Sequence, residues 1–178
     1  MKVVSSVVTE SVNAKSLSSF SGTEGCYASV VPLRKSVDKL RELRNKLVGN
    51  IQGVLPLVDW HTTVIFSKDN VDANSIYDKI GVDPSIQYTA KPVKVEYWDG
   101  HKGQGVLVLL LKSDGLQKLH TRFRRLGLTP TFDPYVPHMT LASDFNDPEL
   151  GKMMAASLTK SLDNTALEFC GLRVEDVS

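Results

Sequence analysis

DWHTTVIF (residues 59–66) and YVPHMTLAS (residues 135–143) each set a histidine and a threonine two positions apart within an otherwise strand-like run. On a β-strand, residues i and i+2 share a face. His61 and Thr63 therefore project together, as do His138 and Thr140, while Trp60, Thr62 and Met139 turn to the other side. One such pair is ordinary, and a lone strand histidine is most often a satisfied structural residue. Two copies, both on apolar strands and each followed by an apolar residue (Val64, Leu141), point to a functional pair.

Placed face to face, the two pairs offer an imidazole on each side of a phosphate and two hydroxyls aimed at its oxygens. Metal-free phosphodiester cleavage needs these groups. One histidine near neutral pKa removes a proton from the attacking hydroxyl and the other protonates the leaving oxygen. The threonine hydroxyls meet the charge that grows on the non-bridging oxygens. No other grouping of histidines or carboxylates has metal-ligand spacing, so a metal hydrolase is disfavoured and no metal or cofactor is expected. Of the remaining histidines, His101 lies in a glycine-rich loop and His120 on a charged helix face, and both read as solvated.

Working outward from these strands, strand and helix signals alternate. CYASVVPL (26–33) is apolar and β-branched. Ser36 is placed to cap a helix in which Val37, Leu40, Leu43 and Leu47 recur at helical spacing, with Gly49 closing it. The strand LVDWHTTVIFS (57–67) follows, then a short helix ending at Gly81, then YTAKPVKVEYW (88–98), where Val93, Val95 and Tyr97 alternate with Lys94, Glu96 and Trp98. DGHKGQG (99–105) reads as a loop and VLVLLLK (106–112) as a buried strand. Ser113 or Asp114 caps a helix with the stripe Leu116, Leu119, Phe123 and Leu126. The second histidine strand, a helix opened by Pro148, and a last strand in ALEFCGLRVEDV complete the order β-α-β-α-β, twice. We expect residues 1–24 to be an N-terminal arm and 25–178 a single α+β domain of two lobes.

The 178 residues are 42% hydrophobic and 23% charged, with a net charge of about +1. That composition describes a globular protein without the positive field that binding to long nucleic acid requires. No run is long and apolar enough for a membrane span or signal peptide, so no membrane partner is expected. Cys26 and Cys170, distant in sequence and outside any cysteine motif, read as reduced and mostly buried thiols, which suits a cytoplasmic protein.

HTTVIF and HMTLAS resemble the two H-x-T-Φ motifs (Φ apolar) of the 2H phosphoesterase superfamily, and the histidine spacing and chain length are also similar. The resemblance implies two pseudo-symmetric lobes around a central cleft (a LigT-like fold). It also implies metal-independent action on phosphodiesters, with His61, Thr63, His138 and Thr140 as the catalytic set. Bacterial RNA 2′,3′-cyclic phosphodiesterases of this superfamily usually carry an arginine soon after the second motif; Ser143 occupies that stretch here.

The sequence looks more like the phage anti-CBASS branch, whose members destroy the cyclic di- and trinucleotide signals of bacterial immunity. By that resemblance Tyr27 and Trp98 stack on the substrate bases, the partner is a cyclic oligonucleotide and the site of action is the host cytoplasm. Taken alone, Tyr27 reads equally well as a core strand residue, whereas Trp98 falls on the polar side of its strand. Trp60 reads as core, and Tyr135 takes no assigned role. Glu168 or Glu175 is implied near a base edge. Two alternatives stay open: an RNA 2′,3′-cyclic or 2′–5′ phosphodiesterase, and a non-catalytic module that sequesters a nucleotide.

Overall fold

The computed structural model describes residues 25–48, 54–56, 59–69, 71–83, 85–99 and 105–177. The expected N-terminal arm, His101 with its loop, and the closure of the first helix at Gly49 lie outside them. The elements are β1 (Gly25–Pro32), α1 (Arg34–Val48), β2 (Thr62–Ser67), α2 (Ala73–Ile80), β3 (Tyr88–Trp98), β4 (Gly105–Lys112), α3 (Asp114–Arg125), β5 (His138–Phe145), α4 (Pro148–Lys160) and β6 (Leu167–Val177). Among the described residues the order is β-α-β-α-β repeated, an α+β arrangement of six antiparallel strands and four helices.

The strands form a ring in the order β1-β2-β5-β4-β3-β6. It is made of two three-stranded sheets. In one, β1 lies between β2 and β6; in the other, β4 lies between β5 and β3. The sheets meet at two short seams, Thr62 against Met139 and Tyr88–Ala90 against Leu167–Phe169. Each half of the chain therefore gives its third strand, β3 or β6, to the other half's sheet. The lobes are pseudo-symmetric but interlocked, and neither is a continuous piece of sequence.

Local chemistry fixes the helices. Asp72, Ser113 and Asp147 cap α2, α3 and α4, each accepting a backbone N–H of the first turn, and Gly81 ends α2 in the left-handed conformation. Helix α1 begins at Arg34, ahead of the expected cap Ser36. The Ser36 hydroxyl is instead used by β6, accepting the Glu168 N–H at 2.7 Å. Val93, expected to alternate inward, is 52% exposed because the β3–β4 register slips between Pro92 and Lys94.

The helices pack on one face of the ring, where Cys26, Ala28, Val30, Thr62, Leu107, Leu109 and Met139 are fully or nearly fully buried. The Tyr97 ring lies against Gly105 and Gly151, where any Cβ would overlap it, so the end of β3 is wedged against β4 and α4. Cys26 and Cys170 are unpaired, and burial pushes the Cys26 thiol up to about 11, which keeps it protonated.

Candidate active site

The face opposite the helices carries the two histidine–threonine pairs. His138 opens β5, whereas β2 starts at Thr62, so His61 enters from the residue before the strand and not from the middle of a long one. Thr62 and Met139, the cross-strand partners at the seam, are both fully buried. Continuing that antiparallel register one step each way sets His61 beside Thr140 and Thr63 beside His138. All four side chains are half-buried, so the seam presents a compact patch of two imidazoles and two hydroxyls.

The fourth residue of each motif has a structural task that its apolar character alone does not reveal. In the β1–β2 ladder Ala28 faces Ile65 and Ser29 faces Thr63, which leaves Val64 as an extra residue. In the β4–β5 ladder Val108 faces Thr140 and Leu107 faces Ala142, which leaves Leu141 extra in the same place. Each motif thus ends in a β-bulge. Val64 and Leu141 are fully buried, so the carbonyls that the bulges release need partners.

Those partners come from elsewhere in the chain. Leu141 O accepts the Leu55 N–H at 3.1 Å. Leu55 O in turn accepts Trp60 Nε1–H and Arg44 Nε–H, each at 3.1 Å, and Trp60 is core as expected. Val64 O accepts His120 Nδ1–H at 2.7 Å, and the neighbouring Thr63 O accepts the Tyr135 hydroxyl at 3.0 Å. The His120 and Tyr135 rings stack 4.3 Å apart and 4° from parallel, forming one clamp behind the first motif. His120 is 4% exposed, which overturns the expected solvated residue.

Both active-face imidazoles are held in the same tautomer. His61 Nδ1 lies 2.7 Å from Asp59 O, and His138 Nδ1 lies 2.8 Å from Val136 O, each carbonyl two residues back. A carbonyl only accepts, so Nδ1 carries the proton in each ring, and Nε2 is the nitrogen left for chemistry. His61 Nε2 meets the Tyr27 hydroxyl at 2.5 Å, which also lies 2.8 Å from Thr63 Oγ1. With His61 neutral the chain runs Thr63 O–H to Tyr27 O–H to Nε2; with His61 protonated it reverses. Burial holds His138 below the usual histidine range; the Val136 bond counters part of this, and the charge of His61 adds to it.

The structure brings both expected aromatics here. Tyr27 is half-exposed and bonded to the first motif; it is not packed in the core. Trp98 meets His138 edge-on with ring centroids 4.6 Å apart, and its Nε1–H donates to Glu96 Oε2 at 2.8 Å, which fixes the indole. Glu175 pairs across the ladder with Tyr27, whereas Glu168 is tied to Lys35 at the other end of β6. His120 and Tyr135 escaped the sequence reading, although His120 stands four residues after Leu116 and three before Phe123, on the apolar stripe. Among the described residues no cluster of histidine, cysteine and carboxylate is arranged to hold a metal.

Residues 24–168 match the family model described as anti-CBASS protein Acb1. The chain is 29% identical over 120 residues to the anti-CBASS protein Acb1 of Salmonella phage S16, covering 67% of this chain and 72% of that protein. It is 30% identical over 118 residues to the Acb1 of Enterobacteria phage T4, covering 66% and 71%. Among solved structures it resembles TT0787 of Thermus thermophilus, with a TM-score of 0.53, 15% identity and coverage of 86% and 84%. It also resembles Kluyveromyces marxianus Usb1, solved with uridine monophosphate, with a TM-score of 0.51, 11% identity and coverage of 88% and 95%. At these identities the two structures speak for the fold alone.

Proposed function

This chain belongs to the anti-CBASS protein Acb1 family, and from that premise we propose that its cleft cleaves the 3′–5′ phosphodiester of cyclic di- and trinucleotide immune signals. It is a phosphodiesterase of the 2H type, and its work is phage evasion of CBASS defence in the host cytoplasm. The observation that carries this reading is the matched pair of imidazoles. Each is locked with Nδ1 on a carbonyl two residues back and with the opposite strand's threonine beside it.

His138 is the first base. Burial favours its neutral form, so Nε2 is free to take the proton of the ribose 2′-hydroxyl. The 2′-oxygen attacks phosphorus and the 5′-oxygen leaves, taking a proton from His61 Nε2. The product is linear and ends in a 2′,3′-cyclic phosphate; water then opens that ring with the two histidines in exchanged roles. Thr63 and Thr140 donate to the non-bridging oxygens as their charge grows. Tyr27 and Trp98 stack on the bases, a contact that tolerates different bases because each has a π-face. On protonation of His61 the Tyr27 hydroxyl turns from donor to acceptor, so the same contact serves both states.

The test is cleavage of 3′,3′-cyclic GMP–AMP in the presence of chelator, with products separated by chromatography beside an RNA ending in a 2′,3′-cyclic phosphate. His61→Ala and His138→Ala should each lower the rate about 10²–10⁴-fold, and a 2′-deoxy substrate should resist cleavage. Full activity in either variant, equal cleavage of the deoxy substrate, or loss of activity in chelator overturns the reading. Preference for the RNA end would move the substrate to the RNA class.

A further inference from the structure

The cleft face carries a charge that the mechanism has not used. Ladder partners in an antiparallel sheet point to the same side, so the register assigns residues to the cleft face without reference to their chemistry. On that face Arg173 pairs with Ser29, Ser29 with Thr63, and His138 with Leu110, which pairs with Lys94; the seam joins Thr63 to His138. One row therefore reads Arg173, Ser29, Thr63, His138, Leu110, Lys94 across all six strands.

Both ends of this row are cationic, and they differ in one respect. Lys94 is taken by Glu96 at 2.6 Å, a carboxylate that also holds Trp98. Among the described residues the Arg173 side chain has no ion pair and no hydrogen bond. The pseudo-symmetric position of Arg173 in the other sheet is Glu96: Ser29 stands between Arg173 and Thr63 as Val108 stands between Glu96 and Thr140. The two-fold that repeats the histidines and threonines is thus broken in charge at this site.

Gly171 puts Arg173 there. Its φ of +63° opens an extra step in β6, where Ser29 faces Arg173 but Val31 faces Cys170. Beyond that bulge Leu172 and Val174 turn toward the helices, and Asp176 accepts the Ala73 N–H at 2.8 Å on that side. Arg173 and Glu175 turn to the cleft, where Tyr27 lies. With about 5 Å between strands, Thr63 is about 10 Å from Arg173 across one small residue, Ser29. A long guanidinium arm lying over Ser29 can present two N–H donors to an anion seated at Thr63 and His138.

We propose that Arg173 binds the substrate phosphodiester, its guanidinium engaging the non-bridging oxygens from the β6 side of the cleft. This rests on the phosphodiesterase reading of the site above. The sequence lacks an arginine after the second motif, and the net charge of +1 offers no general attraction, so a local cation has a clear use.

The experiment compares the full-length wild type, Arg173→Met and Arg173→Lys on 3′,3′-cyclic GMP–AMP at several salt concentrations, with melting curves as a folding control. Arg173→Met keeps an apolar stem at an exposed position, so its melting should match wild type. Its kcat/KM should fall about 10- to 100-fold, the scale of one lost charge-assisted hydrogen bond. Arg173→Lys should recover part of the loss, and the salt dependence of kcat/KM should be shallower in Arg173→Met than in wild type. A wild type that cleaves while Arg173→Met stays within two-fold of it, with the same salt slope, overturns the role of Arg173 alone. A wild type that cleaves no cyclic dinucleotide overturns the phosphodiesterase reading and Arg173's role with it.

Discussion

Replacing His120 tests whether the first motif is held from behind. In His120→Ala the Val64 carbonyl, fully buried, loses its donor at 2.7 Å, and Tyr135 loses the ring stacked 4.3 Å away. A buried acceptor left unpaired costs about 1–3 kcal/mol, and the aromatic pair adds about 0.5–1.5 kcal/mol. Together that is about 2–4 kcal/mol, or a fall in Tm of roughly 5–12 °C for a chain of this size. His120→Phe separates the two effects. It keeps the stack and leaves Val64 O unpaired, but it also removes His120 Nε2, which is buried without a partner. The net loss should then be nearer 1 kcal/mol. Thermal melting by circular dichroism measures both. Cleavage of 3′,3′-cyclic GMP–AMP should fall roughly ten-fold or more in His120→Ala at temperatures where the variant is folded, because the clamp sets Thr63 and His61. A surface histidine would change stability by less than about 0.5 kcal/mol. Melting of His120→Ala within a degree of wild type refutes the clamp.

Two further outcomes follow from the site. Since His138 is held below its ordinary value of 6.5, the base proposed above stays deprotonated into mild acid, and the acid limb of kcat/KM should lie below pH 6.5 in a pH–rate profile; a limb above pH 7 would contradict His138 as first base. Trp98→Ala removes the edge contact on His138 and, on the proposed function, a stacking platform for a base. Loss of about 1–3 kcal/mol of stacking should raise Kd for the cyclic dinucleotide about 5- to 150-fold, read by calorimetry in a His61→Ala background.

Most of the element order was legible because several elements end in their own chemistry: Asp72, Ser113 and Asp147 before α2, α3 and α4, and Gly81 after α2. The exchange of β3 and β6 was not legible. Which strand a strand pairs with depends on contacts far apart in sequence, and Val95 or Leu172 would look the same beside either partner. Alternation also misled at Val93, for a reason the motif strands share. Val93 sits where a register slips, and the motif strands bulge after Thr63 and Thr140, so a strict period of two fails at those points. His120 misled because Lys118, Arg122, Arg124 and Arg125 surround it in sequence, although its helical position lies on the buried stripe.

The bulge gives the apolar fourth residue of each motif a reason beyond filling the core. A strand of regular pleat would set Phe66, three residues past Thr63, on the buried face. The inserted Val64 turns Phe66 back to the cleft, opposite Tyr27 in the ladder, with the two rings 6.5 Å apart. The extra residue must then be buried and its carbonyl satisfied, and a buried apolar side chain meets the first need without adding a polar group to pair. The second need is met differently in each lobe, by a side chain of α3 behind Val64 and by the backbone of Leu55 behind Leu141. Only proline at position 55 would remove the backbone donor, whereas most substitutions of His120 remove the side-chain one. The two motifs, alike in sequence, are therefore unequal in vulnerability: side-chain substitutions behind the first should loosen Thr63, and the second should tolerate any change at Leu55 that spares its main chain.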